Sequence, residues 1–420
     1  MTVQTFSGGA GCGKTFRLMQ VLSEYLIATP LREGQKVLAL TFMHGSRRRL
    51  EERLDLVGGL NRRHACSTVD SFAWRLVRRW TTLASQLGFG GIGADEYERV
   101  SEAAGALLEH EVVCRWVATT YPILLVDEAQ DLTVGRLRIV VALSKKLEVL
   151  VAADEFQCLD EALRPNPACS WLAQAGPLEN LTVPRRTEIA ELLLAAGAIR
   201  SGTAPASGKL FTVALTANAA LAGTWLTHAL AWYGTGKKVA VITPTLGLFA
   251  KAVIGWVGAN TTKKGNGPYN VPWERSEAVA ADEFFRTLAL HDSSSILDIA
   301  AILGASTDSR AATDVTNWMD TQRRTRGREV FTGDEICLIV RKSFSDRRRG
   351  QRAAGDGFRA MTVHGAKNRE FDNVIVLWPA AVGGSDDQKR RLLYNAVTRA
   401  KHRCLVLVQA KQSIAQAPFA

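Results

Sequence analysis

Short runs of apolar residues alternate along the chain with longer stretches in which apolar residues recur every third or fourth position. The short runs are typical of buried strands, and the longer stretches are typical of amphipathic helices. The predicted strands span 2–6, 36–42, 65–69, 122–127, 147–153, 210–213, 239–243, 358–363, 374–378 and 404–408. Strands and helices that alternate in this order predict an α/β fold whose parallel sheets carry helices on both faces.

A stretch rich in Gly, Ser, Pro and Ala at 200–208 predicts a linker between two such sheets. We therefore expect a first lobe at 1–200, with a small insertion at about 84–118. The second lobe is expected at 209–259 together with 355–420. The polar, mainly helical pattern at 260–354 predicts a small helical insertion in that second lobe.

The first predicted strand leads directly into a glycine-rich segment that fits G-x-x-x-x-G-K-[ST], the phosphate-binding loop. A helical pattern follows the segment, which is the context that the motif requires. Backbone N–H groups of such a loop bind phosphate oxygens together with the N-terminal end of the helix. Lys14 is expected to bridge the β- and γ-phosphates, and the Thr15 hydroxyl is expected to bind Mg²⁺. The candidate nucleotide-binding residues of the loop are Gly8, Ala10, Gly11, Cys12, Gly13, Lys14 and Thr15.

Acidic residues follow two other predicted strands: Asp127 and Glu128 end one, and Asp154 follows another. Because ligands bind outside the carboxyl ends of parallel strands, we expect these residues to share one sheet edge with the phosphate loop and Thr41. Phosphoryl transfer needs a cation on the phosphates and a positioned nucleophile. We expect Asp127 to hold the Mg²⁺ shell and Glu128 to orient the attacking water. The alternative for this Asp-Glu pair is an exposed strand end.

The chain is basic, with 52 Lys and Arg against 41 Asp and Glu and a net charge of +11. That excess suits a polyanionic partner, although a merely soluble basic protein has it too. The seven cysteines form no C-x-x-C pair, which favours reduced thiols in a cytoplasmic protein without a zinc site. We expect neither a signal peptide nor a membrane span, since polar residues interrupt the most apolar long segment, 211–232.

Six segments resemble, in order, the motifs of superfamily 1 DNA helicases of the UvrD/Rep type. The resemblance implies two RecA-like lobes with ATP in the cleft between them, in a compact form with small insertions. Pro184-Arg185-Arg186 stands where the family has Asn-Tyr-Arg, which leaves Arg185 as an alternative to Arg186. Besides the phosphate loop, the segments that carry the resemblance are Thr41-Phe42, Val126–Asp131, Asp154–Gln157, Leu181–Thr187, Met361–Phe371 and Leu393–Lys401.

The resemblance also assigns roles within the cleft. It implies that Gln157 senses the γ-phosphate and that Arg186 and Arg399 reach it from the far side. Glu370 would contact the ribose, and ATP with Mg²⁺ would be the cofactors. The implied catalytic residues are Lys14, Asp127, Glu128, Gln157, Arg186 and Arg399.

Relatives place residues of two of these segments, Thr41-Phe42 and Met361–Phe371, and of a further motif, Ib, on single-stranded DNA. Aromatic rings stack on bases regardless of sequence, and nearby arginines neutralise phosphates. The alternative for Trp74 is packing in the core, and His364 has the same alternative. The DNA-binding residues implied by the resemblance are Phe42, His44, Ser71, Phe72, Trp74 and His364.

The resulting functional prediction is an ATP-dependent helicase that moves 3′ to 5′ on single-stranded DNA and acts at duplex junctions in DNA repair or replication. Because both predicted insertions are small, we expect a minimal motor that a nuclease or repair partner would complete. The alternative is a nucleic-acid-binding ATP switch that recruits such a partner without unwinding. The features that distinguish the motor from the switch are Gln157, Arg186 and Arg399, because a switch that only binds ATP does not need them.

Overall fold

The structure is a computed structural model that describes residues 2–420 except 43, 61, 94–95, 235, 275–276, 291–292, 307 and 352–356. For residues 44–46, 48, 277–279, 342 and 345–351, the backbone is described but the side chain is not. The chain forms two compact units, Met1–Val271 with Gly357–Ala420 and Pro272–Asp356. Residues 260–271, which we expected in the insertion, therefore belong to the larger unit.

The first part of the chain forms a six-stranded sheet. When its strands are numbered in chain order, they lie side by side in the order 3-2-4-5-1-6. All neighbouring strands are parallel. We call this part the first lobe. Its elements are β1 (Val3–Gly8), α1 (Lys14–Ala28), β2 (Val37–Thr41), α2 (His44–Leu54), β3 (His64–Thr68), α3 (Val69–Arg79), α4 (Thr81–Gln86), α5 (Tyr97–Glu109), α6 (Glu111–Thr120), β4 (Ile123–Asp127), α7 (Val134–Ser144), β5 (Glu148–Ala153), α8 (Pro167–Ala175) and β6 (Leu178–Leu181). Helix α9 (Ala190–Ser201) follows, and its Leu192, Ala195 and Ile199 pack with Phe211 and Val406 in a separate core. Although we expected the first lobe to reach residue 200, α9 therefore packs on the second sheet.

The apolar strand residues point alternately to the two faces of this sheet, as strand geometry requires. Leu38 and Leu40 of β2 pack on the side of α3, α5 and α7. Val37 and Ala39 pack on the opposite side, with α1 and α2. Residues 84–118, which we expected to form a small insertion, instead contribute buried side chains of α5 and α6 to the first of these layers.

The chain then starts a second sheet with β7 (Phe211–Leu215), α10 (Ala219–Tyr233), β8 (Lys238–Thr243) and α11 (Leu248–Ala259). It next forms the smaller unit, in which two short antiparallel strands accompany four helices among the described residues. Ile299, Val315 and Ile336 lie in the core of that unit. The elements of the smaller unit are α12 (Glu277–Leu288), β9 (Ser293–Ser295), α13 (Ile296–Gly304), α14 (Ser309–Arg326), β10 (Val330–Thr332) and α15 (Gly333–Gln351).

The chain returns to the second sheet with β11 (Gly357–Thr362), α16 (Val363–Ala366), β12 (Phe371–Trp378), α17 (Asp386–Val397), β13 (Ala400–Val408) and α18 (Lys411–Ile414). The strand order is β11-β8-β12-β13-β7, and all pairs are parallel. We call these elements, with α9 and β7 to α11, the second lobe. The predicted α/β class with parallel sheets is confirmed. Within the described residues, none of the helices is long and apolar enough to cross a bilayer.

Candidate nucleotide and nucleic-acid site

The phosphate loop joins β1 to α1 at the carboxyl edge of the first sheet. Gly11 and Gly13 adopt left-handed backbone angles, with φ of 81° and 79°. Residues with a Cβ adopt this region only at a cost, so these two positions favour glycine. The loop curls around Lys14, whose Nζ donates hydrogen bonds to the carbonyl oxygens of Gly8 at 2.9 Å and Gly9 at 3.1 Å. The amino group is thereby held at the mouth of the loop, where a phosphate would bind.

The predicted metal ligands lie side by side. Thr15 Oγ1 donates a hydrogen bond of 3.2 Å to Asp127 Oδ2, because strand β4 ends beside the start of α1. Burial, helped by the neighbouring Glu128 charge, raises the pKa of Asp127 to about 6. A hydroxyl and a carboxylate are hard oxygen ligands of the kind that Mg²⁺ prefers, with phosphates and water completing its shell. The residues present therefore fit Mg²⁺.

Glu128 follows Asp127 and adopts a left-handed backbone, with φ of 61°. Its carboxylate accepts a hydrogen bond from Gln130 Nε2. Burial alone would raise its pKa, but the charges of Lys14 and Lys367 outweigh burial and lower it. Glu128 is thus kept ionised, the form in which a carboxylate can accept a proton from water.

A hydrogen-bonded chain crosses from the first lobe to the second. Gln157 Nε2 donates to the buried Asp154 Oδ2 at 2.7 Å, and Gln157 Oε1 accepts from Arg399 Nη2 at 3.2 Å. The Arg399 side chain is 1% exposed, and its Nε donates to the Asn395 carbonyl oxygen at 2.9 Å. Burial and the nearby Arg186 charge lower the pKa of Arg399 to about 9. The predicted sensor and one predicted arginine are therefore in direct contact.

Arg186 lies against the phosphate loop and bonds to the second lobe. A Cβ built on Gly11 would lie only 2.7 Å from Arg186 Cβ. Arg186 Nε donates to Glu370 Oε1 at 3.0 Å, and its Nη1 donates to the Thr398 carbonyl oxygen at 2.7 Å. The two residues that the resemblance assigns to the γ-phosphate and the ribose are thus bonded to each other.

The alternative arginine, Arg185, points elsewhere. Its guanidinium lies 4.3 Å from the centre of the Phe16 ring. Its backbone N–H donates to the Gly11 carbonyl oxygen at 2.7 Å. Arg185 therefore covers the loop from the side of α1, whereas Arg186 reaches the second lobe.

The DNA-binding candidates divide into exposed and buried positions. His364 is exposed at the start of α16, and Phe42 is partly exposed at the end of β2. Phe72 is 6% exposed and packs in the core of the first lobe, so its ring is not accessible for stacking on a base in this structure. Phe72 lies on the buried face of α3, since every third or fourth residue of an amphipathic helix lies on the same face.

Three further candidates complete the set. Ser71 is bonded at the start of α3, where its N–H and its Oγ both contact Thr68 Oγ1. Trp74 is partly buried and packs against the core, which was the alternative for this residue. The side chain of His44 lies outside the described residues.

Three residues that sequence reasoning assigned no role also contact this region. Arg136 of α7 places its guanidinium 5.3 Å from the Phe42 ring centre and donates to Asp70 Oδ1 at 2.7 Å. Arg200, which we expected in a linker, belongs to α9 and donates to Asp154 Oδ1 at 3.0 Å. Lys367 forms an ion pair with Asp131 across the lobes. Arg136 and Arg200 lie outside all six motifs, whereas Lys367 lies within the segment Met361–Phe371.

Two family models match the chain. A model of the AAA domain matches residues 1–162, and a model of the UvrD-like helicase C-terminal domain matches residues 357–407. They cover the phosphate loop with the acidic pair and the segment that holds Glu370. No curated protein matches the chain.

Among solved structures, the arterivirus nonstructural protein 10 (helicase) is 14% identical with a TM-score of 0.42, over 99% of this chain and 62% of that one. Its complex with DNA is 13% identical with a TM-score of 0.41, over 98% and 62%. The PRRSV helicase is 10% identical with a TM-score of 0.40, over 100% and 55%. This chain spans about 62% of the length of the first solved structures it matches.

Proposed function

Because the chain is a UvrD-like helicase by its family matches, we propose that it is an ATP-driven translocase on single-stranded DNA that separates strands. The proposed direction is 3′ to 5′, and the proposed setting is DNA repair or replication. The basic charge of +11 supports a polyanionic track of this kind.

The observation that carries the proposal is the hydrogen bond between Gln157 of the first lobe and Arg399 of the second. A γ-phosphate bound near both would connect the lobes, and its loss on hydrolysis would remove that connection. Cations from a second lobe stabilise transition-state charge only while the cleft is closed. The same contact would therefore couple chemistry to relative movement of the two sheets.

Each residue of the cleft has a role in this mechanism. Lys14 would bind the β- and γ-phosphates, and Thr15 with Asp127 would hold Mg²⁺. The ion supplies charge neutralisation on the phosphates when it is bound. Glu128 would orient the attacking water and accept its proton. Arg399 would neutralise charge on the terminal phosphate.

The proposed DNA path crosses both lobes. The Phe42 ring is partly exposed at the end of β2, and His364 is exposed just after the end of β11, where both can stack on bases. Ser71 at the start of α3 can donate to a phosphate. Trp74 contributes mainly to packing beneath this surface.

The test is steady-state ATPase activity with and without single-stranded DNA, together with strand displacement on 3′- and 5′-tailed duplexes. We expect stimulation by DNA and displacement from the 3′ tail only. The same assays with RNA strands show which nucleic acid is preferred. Lys14→Ala is the control for contaminating activity, because it should abolish hydrolysis.

Each alternative gives a distinct result. Displacement from the 5′ tail alone would reverse the polarity. DNA-stimulated hydrolysis without displacement from either tail would favour a translocase or switch that needs a nuclease or repair partner. ATPase activity that DNA does not change would exclude the motor.

A further inference from the structure

A cluster of side chains outside the predicted catalytic set surrounds the fully buried carboxylate of Asp154. Its Oδ1 accepts from Arg200 Nη1 at 3.0 Å, and its Oδ2 accepts from Gln157 at 2.7 Å. Lys14 Nζ lies 3.8 Å from the same Oδ2. Two cations thus share one carboxylate that has no exposure to water.

The same arginine also reaches the phosphate loop through the second lobe. Arg200 Nη1 donates to Tyr394 Oη at 3.2 Å, and this hydroxyl accepts from the Ala10 N–H at 2.8 Å. A Cβ built on Gly9 would lie 3.1 Å from Tyr394 Oη and 3.7 Å from Arg200 Nη1. Arg200 is therefore packed against the loop and is held there by two bonds.

The charges explain why a second cation is needed. A buried carboxylate is costly unless cations or hydrogen bonds compensate it. If Lys14 were its only cation, each triphosphate would have to take Lys14 away from Asp154. Arg200 can remain with Asp154 while Lys14 moves to the phosphate.

We propose that Arg200 is a positioning residue for nucleotide binding, which acts by neutralising Asp154 so that Lys14 is available to the triphosphate. The proposal rests on the function proposed above, since it assumes a triphosphate at Lys14. Arg200 acts through Asp154 and Lys14, not on the reacting atoms, so its removal should change nucleotide affinity more than turnover.

The experiment measures the dissociation constant of Mg²⁺ with a non-hydrolysable ATP analogue, together with KM and kcat for ATP. Arg200→Gln should raise the dissociation constant and KM by about tenfold and leave kcat within about threefold, the size of effect expected for loss of one nearby charge. Arg200→Lys should lose clearly less affinity than Arg200→Gln, because it keeps the charge although it gives up the guanidinium contact with the Phe156 ring at 5.4 Å. Arg138→Gln is the matched control, since it removes a partly exposed arginine from an ion pair with Glu109 on α5.

The decisive variant is Arg200→Gln combined with Asp154→Asn. Removing the carboxylate charge should restore analogue affinity to within about threefold of the wild type, because Lys14 is then no longer held. A structural role would give no such recovery, and thermal unfolding of each variant shows whether it is folded.

Three results would overturn the inference. Arg200→Gln could bind the analogue as the wild type does, Arg200→Lys could lose as much affinity as Arg200→Gln, or the double variant could show no recovery. A wild-type chain that binds no analogue would instead overturn the proposed function together with this inference. The two failures are therefore distinguishable.

Discussion

Glu128 illustrates how much a single residue's surroundings determine its chemistry. A non-glycine residue at φ of 61° carries a backbone cost of about 1 kcal/mol, which the surrounding structure must offset. The hydrogen bond from Gln130 and the charges of Lys14 and Lys367 hold its carboxylate ionised. The sequence predicts the residue and its position after the strand, but its left-handed backbone depends on these tertiary contacts.

Glu128→Gln should bind ATP within about threefold of the wild type and hydrolyse it about 100-fold more slowly, because the amide keeps the shape but cannot accept the proton. Equilibrium binding and steady-state ATPase assays measure the two effects. Glu111→Gln, which alters an exposed ion pair on α6, is the control. Normal turnover in Glu128→Gln would show that another group orients the water.

Glu370 makes a second residue-scale prediction, which concerns stability. Burial would raise its pKa, but Arg186 and Lys401 outweigh burial and lower the pKa to about 2 from its ordinary 4.5. A depressed acid pKa stabilises the fold above the ordinary pKa, and that stability is lost as the pH falls toward the folded-state value.

We therefore expect Glu370→Gln to lower the free energy of unfolding by about 1 kcal/mol at pH 7, a modest value because the pair is partly exposed. The difference from the wild type should shrink between pH 4.5 and pH 2. Chemical denaturation at several pH values measures it. A difference that does not depend on pH would mean that shape, not charge, accounts for the loss.

At the scale of elements, the strands that could be predicted are those with continuous apolar runs. The runs at 36–42 and 122–127 correspond to β2 and β4, which have neighbours on both sides. Strand β6, Leu178–Leu181, pairs with β1 at the sheet edge and carries Glu179 and Asn180, so it gives no apolar signal. The resemblance assigns both Phe72 and Trp74 of α3 to DNA, with core packing as the alternative for Trp74, whereas packing buries Phe72 more fully.

The segment between β6 and α9 supports a prediction about its two adjacent arginines. Arg186 faces Glu370 and the Thr398 carbonyl, whereas Arg185 stacks on Phe16. Arg186→Ala should lower kcat by about 100-fold or more, as loss of a cation at the transferred phosphoryl group does. Arg185→Ala, the matched control, should change kcat less than about threefold. The reverse ranking in ATPase assays would assign the catalytic role to Arg185.

At the scale of the whole molecule, polar contacts join the two lobes through residues far apart in sequence. Gln388 Nε2 of α17 donates to the Leu159 carbonyl oxygen at 2.9 Å, and Arg391 donates to the Glu155 carbonyl oxygen. Motif order could predict that the lobes meet, since the phosphate loop and the arginines must share one nucleotide. It could not predict these pairings, because they depend on how the two sheets are oriented relative to each other.

The ion pair between Lys367 and Asp131 tests whether such contacts hold the lobes together. Both side chains are 8% exposed, and Lys367 Nζ lies 2.5 Å from Asp131 Oδ2. Lys367→Met should lower the free energy of unfolding by about 3 kcal/mol, because it leaves a buried carboxylate without its cation. Lys367→Met with Asp131→Asn should recover most of that loss, since no unpaired charge remains. Chemical denaturation of Lys367→Met, Asp131→Asn and the double variant completes the double-mutant cycle. Equal losses in Lys367→Met and in the double variant would mean that the pair contributes packing alone, and the lobes would then be joined by other contacts such as those of α17.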